Sequence, residues 1–226
     1  MKHWLRLAIL GTFLITACGK PAEESPQDPE TIKKLSSAKD IAGQWTGACS
    51  ANLDRNLPAK SVKTQLTFTQ KDYDEKTDTY KYNDFLELHS AFESTDCSGQ
   101  PIYFVKSSGA FTVLDDRTES LRKINLARRG IELIPNVGGI VDQLNESEVC
   151  GVKDWMIGQA RTIGNKICWG VIAYPIAVRY DIFQLQNDDD KLCFGSINDP
   201  VNNGSKPSLR PTGLGPCFDV IPTVVN

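Results

Sequence analysis

The clearest periodicity in the chain runs from Val62 to Glu93. Val62, Thr64, Leu66 and Phe68 alternate with Lys63, Gln65, Thr67 and Thr69, a period of two with one wet face. A charged turn containing Asp72, Asp74, Glu75 and Asp78 follows. Beyond it, Tyr80, Tyr82, Leu86, Leu88 and Phe92 share one face, and Lys81, Asn83, Glu87, His89 and Glu93 share the other. A strand of that length bends or carries a bulge. The pattern predicts further strands at 41–47, 102–113, 120–127, 131–137, 177–186 and 191–196. The last two flank Asn187-Asp188-Asp189-Asp190 as a hairpin. Segment 138–173 is less regular. Val141 to Val149 reads as a helical turn, and Trp155 as a seal beneath a loop. No long amphipathic helix competes with about eight short-linked strands. The expected fold is all-β: one antiparallel barrel or sandwich over residues 41–226.

The region before residue 41 has a different character. Lys2 and Arg6 precede the uncharged, mostly apolar run Leu7–Ala17, and Leu14-Ile15-Thr16-Ala17-Cys18-Gly19 closes it. The run falls well short of the roughly 20 apolar residues of a membrane-spanning helix. It has the layout of a cleaved export signal. Small residues directly before a cysteine are the processing signal of a bacterial lipoprotein. Residues 1–17 are therefore expected to be removed and Cys18 to carry lipid, with palmitate among its chains. Several acyl chains hold a protein stably on a bilayer, where one holds it marginally. Gly19 and Lys20 follow the cysteine, with no Asp to signal inner-membrane retention, so outer-membrane delivery is expected. Residues 18–40 contain Pro21, Pro26 and Pro29, many charges and few large apolar side chains, the composition of a flexible linker. A chain of that length spans roughly 25 Å.

Composition narrows the partners. The chain has 25 basic and 28 acidic residues. Losing Lys2 and Arg6 moves the net charge from −3 to −5, and the absence of a basic patch argues against nucleic acid. Of seven cysteines, setting Cys18 aside leaves six, an even number that suits disulfides in an exported chain. None has C-x-x-C spacing, so a zinc or thioredoxin-like motif is unsupported. Several connectivities are open. Sequential pairing is preferred, Cys49–Cys97, Cys150–Cys168 and Cys193–Cys217, with the middle pair closing a short segment rich in Gly and turns.

Gly43-Gln44-Trp45 at the first strand resembles the G-x-W signature of lipocalins. There the Trp closes one end of an eight-stranded barrel and a late Arg lies across its indole, a role Arg210 is placed to fill here. The series Gly43-x-Trp45…Cys49, Asp96-Cys97, Cys150-Gly151…Asp154-Trp155…Gly158, Tyr180-Asp181-Ile182…Cys193-Phe194-Gly195 and Arg210-Pro211-Thr212 resembles a group of uncharacterised bacterial lipoproteins with a suggested lipocalin-like fold. The resemblance implies a single calycin-type barrel with a disulfide-stapled irregular segment near 138–173. It implies no activity.

Candidate chemistry is sparse. His89, the only histidine after processing, falls on the polar face beside Glu87 and reads as a solvated strand residue. Asp188-Asp189-Asp190 reads as a solvated hairpin tip, without the spacing of a calcium loop. No nucleophile elbow, phosphate loop or histidine-rich metal site is present, so neither catalysis, cofactor nor metal is expected. The remaining candidate is the apolar strand face: Leu66, Phe68, Tyr80, Tyr82, Leu86, Leu88, Phe92 and Phe104. Either these residues line a cavity for a small apolar or amphiphilic ligand, with Tyr82 as a polar handle, or they fill the interior. An eight-stranded barrel is just wide enough for either. The first case makes the chain a monomeric, membrane-anchored carrier. The second makes it an envelope interaction protein whose loops bind a protein or glycan.

Overall fold

The computed structural model describes residues 41–52, 58–74, 79–114, 121–172, 174–187, 190–197 and 202–222; Cys18, the leader, the linker and Asp188–Asp189 lie outside them. Eight strands form a closed barrel: β1 Gly43–Gly47, β2 Ser61–Asp74, β3 Thr79–Phe92, β4 Tyr103–Leu114, β5 Arg122–Pro135, β6 Val178–Gln186, β7 Lys191–Gly195 and β8 Leu214–Val220. Each strand pairs antiparallel with the next along the chain, and β8 pairs with β1. Closure pairs every strand on both sides along part of its length.

The strand count matches expectation, but two assignments change. Segments 120–127 and 131–137 are one strand, β5. Its register with β4 shifts opposite Ser108 and Gly109. Ile124 and Leu126 face inward before this bulge, and Ile131 and Leu133 after it, so one extra residue reverses the alternation. Gly109 is obligatory here. A Cβ on it would stand 2.0 Å from the Ala127 carbonyl oxygen and 2.8 Å from the Phe85 ring. The eighth strand is Leu214–Val220, which the alternation did not predict.

Two apolar clusters line the barrel. One contains Ile41, Trp45, Leu66, Phe68, Phe85, Phe111 and Ile124, joined by Phe183, Leu192, Phe194 and Phe218. Its rings interlock: Phe68 meets Phe111 edge-on at 5.1 Å, and Phe218 meets Phe194 edge-on at 5.9 Å. The other joins inner-face residues Val105, Ile131 and Leu133 to the irregular segment, through Ile140, Leu144, Trp155, Ile163 and Cys168. That segment carries helix α1, Gly138–Glu146. Asn145 holds Trp155 in place twice, accepting from its backbone N–H at 2.8 Å and donating to its carbonyl at 3.1 Å. The segment thus covers one end of the barrel, with Trp155 sealed beneath it.

All three sequential disulfides are present. Cys49–Cys97 ties the chain after β1 to the β3–β4 connection. Cys150–Cys168 staples the covering segment. Cys193–Cys217 joins directly paired positions of β7 and β8.

Candidate functional site: a polar belt between two chambers

Strand pairing places the site. Thr64, Leu66 and Phe68 on β2 stand opposite His89, Glu87 and Phe85 on β3. All six line one cavity of about 200 Å3, together with Leu126 of β5, Arg179 of β6, Phe194 of β7 and Phe218 of β8. Its depth is apolar, and the ring cluster of Phe68, Phe194 and Phe218 forms one wall. Exposed Ile197 and Pro216 complete the lining where β7 ends and β8 begins. A second cavity of about 220 Å3 touches the other side of His89, lined by Val62, Ala91, Tyr103, Val105, Tyr174 and Asn52. His89 belongs to both.

Between the chambers runs a belt of charged side chains. Arg128 Nη2 donates to Glu87 Oε2 at 2.8 Å, and Glu87 Oε1 stands 3.4 Å from His89 Nε2. The Nδ1 atom of His89 is 2.9 Å from the Thr64 hydroxyl. Across the barrel, Arg179 is ion-paired with fully buried Asp181 and lies over the Phe194 ring at 5.8 Å. Asp181 Oδ1 accepts from the backbone N–H groups of Ile182 at 2.8 Å and Gly195 at 3.0 Å. Gly195 makes this possible, since a Cβ there would lie 2.5 Å from that oxygen.

Burial alone raises the Glu87 pKa, but the His89 hydrogen bond and the charges of His89, Arg128 and Arg179 outweigh it and hold the carboxyl well below the usual range. Glu87 is therefore a carboxylate. Arg128 faces Glu87 and Arg179 faces Asp181, so each of these charges has a partner, the condition on which buried charge is tolerated. Thr64, His89 and Glu87 also form a hydroxyl–imidazole–carboxylate series. The partner that orients this imidazole is the carboxylate two residues before it in the chain.

Several expectations need correction. His89 is not on the solvated face. It points into the barrel with Glu87, while Leu86 and Leu88 are half-buried on the opposite face. Phe104 is likewise half-buried on the outer parity of β4, which alternates with buried Tyr103 and Val105. Phe92 is buried at the end of β3 but shares the outer parity of Leu86 and Leu88. The physical reason is pairing. Leu66 faces inward and stands opposite Glu87, so neighbours on one face must both point inward, and arginines neutralise the acid. Leu66 and Phe68 do line the cavity. The side chains of Tyr80 and Tyr82 lie outside what the structure describes.

Trp45 is buried at the barrel base, and its Nε1 donates to the Ile41 carbonyl at 3.0 Å. Arg210 is applied instead to the outer face of β5 and β6. It donates to the Ile124 and Asp181 carbonyls and to Asn125 Oδ1, and its guanidinium lies 5.6 Å from the Tyr180 ring centroid. It clamps adjacent strands from outside, on the face away from Trp45. Phe85, Glu87, Leu126, Arg179, Phe194 and Phe218 were not foreseen as site residues. The one available signal was Arg128 and Arg179 within otherwise strand-like segments, since a cation on a buried face requires an acid beside it.

Among the described residues no cluster of three or more His, Cys, Asp or Glu side chains could hold a metal, and no helix is long and apolar enough to cross a membrane. The fold defines the class, a closed eight-stranded antiparallel barrel, an architecture compatible with a lipocalin-like fold. No family model matches the chain, and comparison with curated proteins finds no match.

Proposed function

We propose that this protein is a lipid-anchored envelope lipoprotein, one of the resembling bacterial group, whose barrel binds a small amphiphilic molecule without transforming it. The observation that carries the binding role is the cavity of about 200 Å3 beside the polar belt, with phenylalanines on one side and hydrogen-bonding groups on the other. Ligand sites are typically concave, mostly apolar and furnished with a few fixed polar groups. The leader of residues 1–17 followed by Cys18 supports lipid anchoring, the absence of Asp after Cys18 supports outer-membrane delivery, and the three disulfides support export.

Native mass spectrometry of the protein purified from envelopes, followed by organic extraction, tests the binding role. One small molecule per chain is the expected result. A chain that takes up nothing from any envelope extract contradicts it. Metabolic labelling with a palmitate analogue tests the anchor, and label retained by Cys18→Ala refutes attachment there. The Thr64–His89–Glu87 series makes hydrolysis the alternative to exclude: ester turnover abolished by Thr64→Val overturns the non-catalytic role. A second reading, an interaction protein, draws on exposed Met156, Ile157 and Ile167 in the stapled segment. Stoichiometric copurification of one envelope protein favours it.

A further inference from the structure

We infer that the chamber lined by Phe68, Phe194 and Phe218 takes a small organic monoanion, a single ring or short chain bearing one carboxylate, and that a proton enters with it onto His89; this rests on the binding role proposed above.

The charges that reach the chamber set its preference. In the Arg179–Asp181 pair the arginine side chain is 22% exposed and the acid 0%; in the His89–Glu87 pair the imidazole side chain is 34% exposed and the acid 11%. The acids sit behind their partners, while Arg179 and His89 line the chamber. Glu87 also reaches its wall, but one carboxylate oxygen is held by Arg128 at 2.8 Å and the other faces His89 at 3.4 Å. An ammonium entering here would meet Arg179 and His89 before any acid, and a charge taken out of water is tolerated only with a partner.

The balance of charges fixes how many the ligand carries. Arg128 and Arg179 cancel Glu87 and Asp181. His89 is the fifth ionisable group of the belt, and among the described residues that line the chamber no further carboxylate is left for it. Around its ring stand Glu87 on its own strand, Thr64 on β2, Tyr103 on β4 and Tyr174, with Arg128 and Arg179 beyond Glu87. Arg122 lies over the Phe183 ring at 4.9 Å and does not line the chamber. A protonated His89 therefore leaves the belt with one positive charge, which one carboxylate cancels. An anion nearby favours the charged form of an imidazole, so ligand and proton bind together. Size follows from the volume of about 200 Å3, somewhat more than the roughly 150 Å3 of an apolar cavity that admits benzene. A substituted ring fits, against the faces and edges of the three phenylalanines.

Titration calorimetry on the purified full chain with 4-methylbenzoate, 4-methylbenzamide and 4-methylbenzylammonium tests this. At about pH 5.5 the expected order is 4-methylbenzoate over 4-methylbenzamide by at least about tenfold, with the ammonium unbound. Histidine changes charge between about pH 5 and 8. The affinity for 4-methylbenzoate is accordingly expected to fall about tenfold as pH rises from ~5.5 to ~8, while that for the amide stays level. Titrations in two buffers of different ionisation enthalpy count the proton, with roughly half a proton or more taken up per carboxylate near pH 7. His89→Gln keeps a polar side chain beside Thr64 and removes the ionisation, so it is expected to abolish both the pH dependence and the uptake, which a merely structural role would not do. Should that variant not fold, the wild-type proton count decides alone. Tightest binding of the amide or the ammonium, or carboxylate binding without proton uptake, overturns this inference yet leaves the binding role standing. Binding of none of the three also overturns it, and the extraction experiment then separately decides the binding role.

Discussion

Replacing Glu87 by Gln is the most informative single perturbation of the belt. The amide keeps an oxygen for Arg128 at nearly the same place, so packing is unchanged and charge is lost. Side-chain exposures of 11% for Glu87 and 25% for Arg128 leave little solvent screening. Hydrogen bonds to charged groups contribute ~1.5–3 kcal/mol each, and a loss of about 2–3 kcal/mol near neutral pH is expected. The pH dependence follows from the depressed pKa. The carboxyl titrates near 4.5 in the unfolded chain and well below that in the barrel. Its stabilising contribution is complete above 4.5 and is lost as pH falls below that value. Each pH unit below it removes about 1.4 kcal/mol. The wild type, but not Glu87→Gln, loses this contribution, so about 2 kcal/mol of the difference disappears by pH ~3. Urea unfolding followed by tryptophan fluorescence at both pH values, with disulfides oxidised, reads it directly. A deficit of the same size at both pH values, or none near neutrality, refutes the charged belt.

Two further substitutions probe the frame around the belt. Gly109→Ala drives a methyl into the Ala127 carbonyl and the Phe85 ring, so the bulge must reorganise; a loss of at least about 2 kcal/mol in urea unfolding is expected. A loss under ~0.5 kcal/mol would show that the β4–β5 register differs. Removing Cys150–Cys168, which closes a separation of 18 residues, by paired Ser substitutions is expected to cost about 3 kcal/mol. Non-reducing peptide mapping of the wild type should recover Cys150 linked to Cys168, and a Cys150 peptide bonded elsewhere is the contrary result.

Much of the barrel was legible in the alternation, and its limits are physical. Val62–Thr69 belongs to an antiparallel strand whose period of two appears directly in the sequence, and the strands at 177–186 and 191–196 were marked by the turn-forming run between them. The long strand β3 misleads because the barrel interior there is not apolar. Leu86 and Leu88 outnumber Phe85 as apolar markers, while Glu87 and His89 point inward on the strength of Arg128 and Thr64, contributed by other strands. No local pattern contains that information. Segments 120–127 and 131–137 read as separate strands, yet Arg128-Arg129-Gly130 between them is the bulge of a continuous one. Leu214–Val220 contains Gly215 and Pro216, which suppress any strand signal, and becomes a strand because β1 and β7 flank it. Disulfide pairing was legible because each pair joins cysteines consecutive in the chain. Arg210 was assigned by resemblance to a partner on the wrong face of the wall.

The central claim is that the chamber beside the belt receives a molecule. Leu126 lies on its wall with its side chain buried, and Leu126→Trp fills that space without removing any charged group of the belt. Native mass spectrometry of the wild type and Leu126→Trp, both purified from envelopes with three intact disulfides, gives the most direct answer. The wild type is expected to carry one bound small molecule per chain and the variant none. Equal occupancy in the two proteins, or an empty wild type, contradicts the account.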